Sequence, residues 1–424
     1  MNIFIATYGS RGDVQPYLAL GRGLLNAGHN VTIATSVRFQ ADVQAIGLHY
    51  GYMNDELLSI LDTQLGRSLI DSSHGLLGNL KQLIQAKKKI SPLQTKQIEE
   101  CWLAAKDANP DVIIFHPKAF GAPSYAEKLG VPVMLASVVP MLVPSSTTPH
   151  IGFPSLKLGK WYNRLTYSLV NLIMQLSISK PIRHWRVENG LPAKGGINLL
   201  RTHSGSSMPV LQGFSRHVAD LPLDNQSQVT TTGYWFTETP DWQPSQALSE
   251  FLESGPPPVY IGFGSMVGQD PQQLTETVIA ALTKAKVRGI LASGWGGIKS
   301  SSLPDSIIEI DHAPHQWLFP KMAAIVHHCG AGTTAAALRA GKPSIPVPFF
   351  GDQPYWAKRL YELGVSSIPL PKKSLNSDSL AQEIKHVISD VSIQKNAEVL
   401  GQKVRREGGI EKAIKVIEHY ALNE

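Results

Sequence analysis

The chain has 424 residues, of which 43% are hydrophobic and 17% charged, and this balance excludes an intrinsically disordered protein. Its length exceeds what one compact core holds, so we expect two domains of roughly 200 residues each. Two cysteines, Cys101 and Cys329, exclude a disulfide-rich scaffold, and neither a CxxC pair nor a histidine-rich spacing predicts a metal site.

The formal net charge of +6 favours anionic partners such as nucleotides or acidic lipid surfaces. The basic residues are scattered apart from residues 87–89, which we interpret as a solvated helix face, so no nucleic-acid partner is predicted. The apolar run at the start is too short for a signal peptide, and no stretch is long enough to span a bilayer. We therefore expect a cytoplasmic protein.

The chain opens with a strand–helix–strand pattern. Residues 2–7 form a β-branched run, residues 14–27 have helical periodicity, and residues 31–34 fit a second strand. Such a unit predicts a parallel, doubly wound sheet, in which ligands bind beyond the carboxyl ends of the strands. Asp13 lies at such an end, where its carboxylate either only caps the helix or acts on a ligand.

Two features of the first half bear on a site for a second ligand, which we call the acceptor. His116 follows a predicted strand at residues 111–115, so it should face the same crevice as Asp13 and either orient Asp13 or contact the acceptor. Residues 160–185 carry apolar side chains at helical spacing. This pattern fits a helix packed on the sheet, and equally a surface for a lipophilic acceptor or for a membrane.

A second run of strands and helices follows residues 221–255, which are rich in Pro, Ser, Thr and Gln and predict an interdomain linker. A strand at residues 259–266 ends in a glycine-serine turn at Ser265. A later strand ends at Trp295, whose ring is flanked by glycines and suits a planar ligand ring.

Residues 325–356 read IVHHCGAGTTAAALRAGKPSIPVPFFGDQPYW and carry the strongest pattern. A short strand breaks at glycines and continues as a helix from Thr333. The glycines let backbone approach a ligand, and the first-turn N–H groups with the helix dipole attract phosphate, to which His328 can add a donor. An ordinary strand–loop–helix is the alternative. The carboxylate and carboxamide of Asp352 and Gln353 suit the vicinal hydroxyls of a sugar, so a nucleotide-sugar site is predicted.

This segment resembles the donor-binding signature of UDP-sugar glycosyltransferases, and its wording is similar to that of the sterol glucosyltransferases. The antibiotic glycosyltransferases share much of it, and with the earlier motifs the resemblance covers most of the chain. It implies an α/β GT-B fold, in which two Rossmann-like domains with parallel sheets face across a cleft. The expected domains are an acceptor domain at residues 1–220, a linker at 221–255, a UDP-sugar domain at 256–400 and a final helix at 401–424 that crosses back.

The resemblance also implies roles for single residues. Asp13 stands where the family has its general base, and His116 where related enzymes often have an acid. His312 and His315 occupy the places of a plant tryptophan that packs on uracil and a glutamine that binds ribose, and Ser265 matches a serine that reaches the β-phosphate. The expected donor contacts are Gly12, Ser265, Trp295, His312, Ala313, His315, His328, Gly330, Gly332, Thr333, Thr334, Asp352 and Gln353.

The implied activity is inverting transfer of glucose, or another hexose, from a UDP-sugar to a hydroxyl of a lipophilic acceptor, above all a sterol, giving a β-glycoside. No cofactor and no metal are expected, and a peripheral membrane contact is a further expected partner. The alternatives are a polyketide, glycopeptide, triterpene or flavonoid acceptor, and a nucleotide-sugar epimerase or hydrolase on the same scaffold. A noncatalytic sensor of sugar nucleotides or a lipid-binding protein is the third alternative.

Overall fold

The protein forms two compact units in a computed structural model. The structure describes residues 1–61, 80–193, 198–202, 204–219, 228–238, 242–264, 271–292 and 303–423, except for the side chains of residues 60–61, 80–89 and 271. The first unit comprises Met1–Arg216, Asp220–Thr237 and Gly408–Glu424, and the second His217–Ala219 and Glu238–Glu407. The domain limits predicted from the sequence stay predictions.

The elements of the described residues alternate between strand and helix over most of the chain. The strands are β1 (Asn2–Ala6), β2 (Asn30–Ser36), β3 (His49–Met53), β4 (Val112–Phe115), β5 (Val133–Ser137), β6 (Val210–Gln212), β7 (Val229–Thr231), β8 (Val259–Gly262), β9 (Gly289–Ala292), β10 (Ile307–Ile310), β11 (Ala324–His327) and β12 (Ser344–Pro346). The helices are α1 (Arg11–Asn26), α2 (Gln40–Ala45), α3 (Glu56–Leu61), α4 (Leu80–Ala108), α5 (Ala122–Leu129), α6 (Lys160–Glu188), α7 (Gln246–Glu253), α8 (Pro271–Ala285), α9 (His315–Leu318), α10 (Ala331–Ala340), α11 (Gln353–Glu362), α12 (Ser377–Ser389), α13 (Val391–Arg405) and α14 (Gly409–Asn423). Short 3-10 turns lie at Val37–Phe39, Phe319–Lys321 and Lys372–Ser374.

The first unit is built on a parallel sheet with the order β3-β2-β1-β4-β5-β6-β7 in the part of the chain that the structure describes. Ala6 at the end of β1 pairs with Ala34 of β2 on one side and with Phe115 of β4 on the other. Because the strand order reverses between β1 and β4, the carboxyl ends of these two strands form the switch point at which such sheets bind ligands.

The buried strand β1 divides the core of the first unit into two layers. Successive side chains of a strand point to opposite faces. Phe4 therefore packs in the cluster that contains Trp185 of α6, while Ile5 packs in the cluster that contains Leu20 of α1 and Ile417 of α14. The last helix of the chain is thus a structural part of the first unit.

A buried ion pair fixes α6 to α5. Arg186 is 1% exposed at its side chain, and its guanidinium donates to both carboxylate oxygens of Glu127 at 2.7 and 3.2 Å and to the carbonyl of Pro192 at 2.9 Å. A guanidinium buried to this degree depends on its partner, since an unpaired charge inside a protein is costly.

Replacing this carboxylate should therefore destabilise the first unit. We expect Glu127→Ala to lower the free energy of unfolding by about 3 kcal/mol, measured by denaturant titration. Glu362→Ala is the control, because Glu362 pairs with Arg359 at 2.7 Å on the surface and should cost about 1 kcal/mol at most. Equal losses in the two variants would contradict the assignment of a buried, dependent charge.

The second unit repeats the same architecture with the strand order β10-β9-β8-β11-β12, again of the described residues. All its neighbouring strands are parallel, and His327 at the end of β11 pairs with Gly262 at the end of β8. The order reverses between β8 and β11, so the carboxyl ends of these two strands form the switch point of this sheet.

Candidate active site

The first switch point brings Asp13 and His116 together. Asp13 is the third residue of α1 and closes a capping box with Ser10, whose backbone N–H and hydroxyl both donate to Asp13 Oδ2, at 2.7 and 2.9 Å. His116 follows the last residue of β4, and its Nε2 lies 3.4 Å from Asp13 Oδ1. The helix begins at Arg11, not at residue 14 as predicted, because this box makes the polar loop residues helical.

Lys118 completes the cluster and was not predicted from the sequence. Its Nζ donates to Asp13 Oδ2 at 2.8 Å, while its backbone N–H donates to His116 Nδ1 at 3.1 Å. The one signal available in the sequence is a cation two positions after a residue already placed at a strand end. One lysine thus contacts both predicted catalytic residues.

The cluster sets the charge of each member. Burial alone would raise the pKa of the Asp13 carboxyl, but the Lys118 ammonium, together with hydrogen bonds from Lys118 and Ser10, outweighs burial and holds this pKa below its usual range. Burial lowers the pKa of His116 to about 4. Asp13 is therefore ionised and His116 neutral at pH 7. Since His116 Nδ1 accepts from Lys118, its Nε2 carries the proton and faces Asp13.

Removing the lysine charge should change how Asp13 titrates. In Lys118→Met the burial that raises the pKa of Asp13 remains while the main opposing cation is gone, so this pKa rises. We expect the acidic limb of the profile of kcat/KM against pH to move to higher pH, and Lys118→Arg to restore its position. A Lys118→Met profile that superimposes on the original would refute this role.

The second switch point holds the start of α10. Cys329 adopts a left-handed backbone conformation with φ of 64°, and Gly330 is the N-cap. The helix begins at Ala331, two residues earlier than predicted. A Cβ on Gly330 would lie 2.6 Å from His328 Nε2, so the glycine is needed to accommodate the imidazole beside the helix start.

The first turn of α10 presents backbone donors. No side chain of the described residues caps this helix, and the first intrahelical bond of its N-terminus is donated by Thr334 N to the carbonyl of Gly330 at 2.9 Å. The preceding N–H groups lack intrahelical partners by geometry. Gly332 is exposed, and a Cβ there would meet no described atom within 4 Å. This is the arrangement that binds phosphate at a helix N-terminus.

His328 lies beside these donors. Its Nδ1 is buried and has no hydrogen-bond partner among the described residues. Burial lowers the pKa of His328 to about 4 and outweighs the interaction with the backbone of Gly262, which raises this pKa. The imidazole is therefore neutral at pH 7 and has hydrogen-bonding capacity for a ligand. The hydroxyl oxygen of Thr334 also has no hydrogen-bond partner among the described residues, but this residue is fully buried. Thr333 is half-buried.

Asp352 is the N-cap of α11 and Gln353 its first residue, and both side chains are hydrogen-bonded within the chain. Gln353 Oε1 accepts from the backbone N–H groups of Phe349 and Phe350 at 2.8 and 3.2 Å, and Asp352 Oδ2 accepts from Trp356 Nε1 at 2.8 Å. These bonds hold the loop after β12 in one shape. Their predicted role in holding a sugar stays a prediction.

The other predicted donor residues are spread over several places. His312 is exposed and Ala313 buried in the loop after β10, and the His315 ring stacks on Phe319 with a centroid distance of 4.2 Å. Gly12 is exposed in the first turn of α1, in the other unit. Ser265 and Trp295 lie outside the described residues, so their predicted contacts stay predictions.

Comparison with known proteins identifies the class. Residues 3–146 match the glycosyltransferase family 28 N-terminal domain, and residues 292–409 match the erythromycin biosynthesis protein CIII-like C-terminal domain. The solved structure of the glycosyltransferase VinC in complex with dTDP is similar with a TM-score of 0.68 and 19% identity, over 100% of both chains. The chain shares the GT-B fold of these glycosyltransferases, and the predicted fold class is confirmed.

Within that class the sequence is related to the sterol 3-beta-glucosyltransferases, which confirms the resemblance drawn from residues 325–356. The enzyme of Debaryomyces hansenii is 35% identical over 443 residues, which cover 99% of this chain and 27% of that protein. The enzyme of Arabidopsis thaliana is 33% identical over 430 residues, covering 98% of this chain and 65% of that protein. The chain thus spans less than two thirds of the length of these relatives.

Proposed function

We propose that the protein transfers glucose from UDP-glucose to the hydroxyl group of a sterol, with inversion at the anomeric carbon. The observation that carries this proposal is the Asp13 carboxylate at the first switch point, which is 18% exposed and lies 2.8 Å from Lys118 Nζ and 3.4 Å from His116 Nε2. The sterol glucosyltransferase activity of the relatives supports a sterol as acceptor, and the dTDP bound to VinC supports a nucleoside diphosphate as part of the donor.

The second unit would bind the donor through its diphosphate. The first-turn N–H groups of α10 and the His328 side chain are donors that meet the phosphate oxygens, and the open space at Gly332 admits the group. When the bond between the anomeric carbon and the phosphate oxygen breaks, its electron pair stays on UDP. Donors fixed in advance stabilise the charge that develops there, and a single such donor is worth about 3 kcal/mol in other enzymes.

The first unit would supply the base. The acceptor oxygen attacks the anomeric carbon from the face opposite UDP while its proton passes to the Asp13 carboxylate, so one displacement inverts the centre and an α-linked donor gives a β-glycoside. The His116 ring is itself held edge-on against Tyr17 at a centroid distance of 5.6 Å. With its Nε2 proton towards Asp13 Oδ1, His116 orients the carboxylate during this step.

The same arrangement leads us to propose a reaction without a metal ion. The diphosphate charge is met by backbone donors, the helix dipole and His328. The decisive experiment incubates the protein with UDP-glucose and EDTA and a panel of sterols, triterpenes, flavonoids and macrolides, followed by mass spectrometry. We expect a glucoside of the sterols.

Two outcomes of this screen would overturn the proposal. Glucose release or sugar isomerisation from UDP-glucose alone, at a rate that no acceptor changes, would indicate a hydrolase or an epimerase. UDP-glucose binding with no product from any acceptor would indicate a noncatalytic sensor. A product formed only with a flavonoid or a macrolide would refute a sterol as the acceptor but would still support glycosyl transfer as the reaction.

A further inference from the structure

The helix α6 is apolar on the side that faces away from the core. Its inner face packs Tyr167, Ile178 and Trp185 into the first unit. On the outer face, large apolar side chains recur at spacings of three and four residues and are between 43% and 65% exposed: Trp161, Leu165, Leu169, Leu172, Ile173 and Leu176. We call these six residues the outer stripe. A surface helix normally carries polar residues there, so a contiguous apolar stripe indicates a binding surface.

The exposed lysine and arginine side chains along α6 have no acidic residue among them before Glu188. No aspartate or glutamate occurs between Glu127 and Glu188, a run that contains the whole of α6 except its last residue. Exposed cations stand at both ends of the stripe: Lys157, Lys160 and Arg164 at the beginning, and Lys180 and Arg183 at the end. The partner of this surface therefore combines an apolar interior with negative charge at its boundary.

We propose that the outer stripe docks on the surface of a lipid bilayer with anionic headgroups, with α6 lying in the plane of the membrane. The 29 residues of the helix extend for about 43 Å, and their outer stripe would enter the boundary between headgroups and acyl chains. The flanking lysines and arginines would stay among the phosphates, and Trp161 is of the residue type that prefers this boundary. No helix of the described residues has the length and apolarity to cross a bilayer, which agrees with docking rather than spanning.

Charge argues against a second copy of the chain as the occupant. A twofold pair formed through this surface is isologous, so two antiparallel α6 helices would bring Lys160 of one copy against Lys180 and Arg183 of the other. No acid in the run between Glu127 and Glu188 would neutralise these cations. Anionic headgroups remove the same repulsion.

Flotation with vesicles tests the docking. The full chain is mixed with phosphatidylcholine vesicles, with and without phosphatidylserine, in the absence of sterol and sugar nucleotide. Leu169→Glu with Leu172→Glu should lower the bound fraction on both vesicle types by about tenfold or more, because two apolar anchors become charged. Lys180→Glu with Arg183→Glu should lower the bound fraction by at least about tenfold on the vesicles that contain phosphatidylserine, because each basic residue strengthens binding to an anionic surface about fivefold. Binding to the vesicles without phosphatidylserine should not change.

Val391→Glu with Val399→Glu is the matched control, because these valines are 74% and 45% exposed on α13 and should leave vesicle binding unchanged. Circular dichroism melts of all variants confirm that the fold is retained. Original protein that does not float, or apolar-to-glutamate variants that float as before, would overturn the proposal. A dimer of the original protein that Leu169→Glu with Leu172→Glu dissociates would identify a self-association surface instead. The proposal stands apart from glycosyl transfer, since the vesicles contain no substrate and the acceptor screen contains no vesicles.

Discussion

Asp13→Asn is expected to lower kcat by about a hundredfold to ten-thousandfold while UDP binding stays nearly intact. The amide keeps the size of the carboxylate, and its oxygen can still accept from the Ser10 N–H and hydroxyl that hold Asp13 now. It cannot take the acceptor proton. Single-turnover kinetics measure the chemical step, and calorimetric titration with UDP measures the binding.

The control for this variant is Asp42→Asn, the same change at a half-exposed carboxylate of α2 that lies 3.9 Å from Arg11. It should leave both measurements unchanged. Turnover that survives in Asp13→Asn would remove Asp13 from the role of base, and a loss of UDP affinity in the same variant would indicate that the carboxylate acts on the donor instead.

His328→Ala is expected to weaken UDP binding by roughly tenfold to a hundredfold, the value of a hydrogen bond to a charged group. His328 Nδ1 has no hydrogen-bond partner among the described residues, so the variant would lose the donor proposed for the phosphate and leave the first turn of α10 to hold the anion alone. Calorimetric titration with UDP measures the change. His328→Asn, whose amide reaches about as far as Nδ1, should restore much of the affinity.

An exposed histidine of the same unit provides the reference. His386→Ala, on α12, should bind UDP as the original protein does. If His328→Ala binds UDP equally well, the imidazole has no phosphate role, and its burial beside Gly330 serves packing alone.

The sequence predicted the parts of the site that follow from topology. Parallel strands are buried on both faces, so their apolar runs stand out, and the reversal of strand order between β1 and β4 brings the residues after both strands together. This rule is enough to predict that Asp13 and His116 are neighbours. It needs no side-chain conformation.

The sequence failed where side-chain direction decides the chemistry. A lysine after a strand end can point to solvent or back to the site, and the contact of Lys118 with Asp13 becomes visible only in three dimensions. Gly332 was expected to open a loop, yet it lies inside α10, because the N-cap is Gly330 and the helix has already begun. The burial of Gln353 was likewise not predictable from the sequence, because its side-chain oxygen accepts hydrogen bonds from backbone groups that no residue spacing identifies.

The position of α14 has a consequence for the synthesis of the chain. Ala413 and Ile417 fill the core beside α1, Gly23 leaves the space that Ile410 occupies, and His29 meets Glu418 at 3.0 Å. On a ribosome these residues emerge after the entire second unit, so the nascent first unit waits with an apolar face open to water. A premature stop before Gly408 should therefore produce a chaperone client and a protease substrate, whereas trimming an ordinary tail would be harmless.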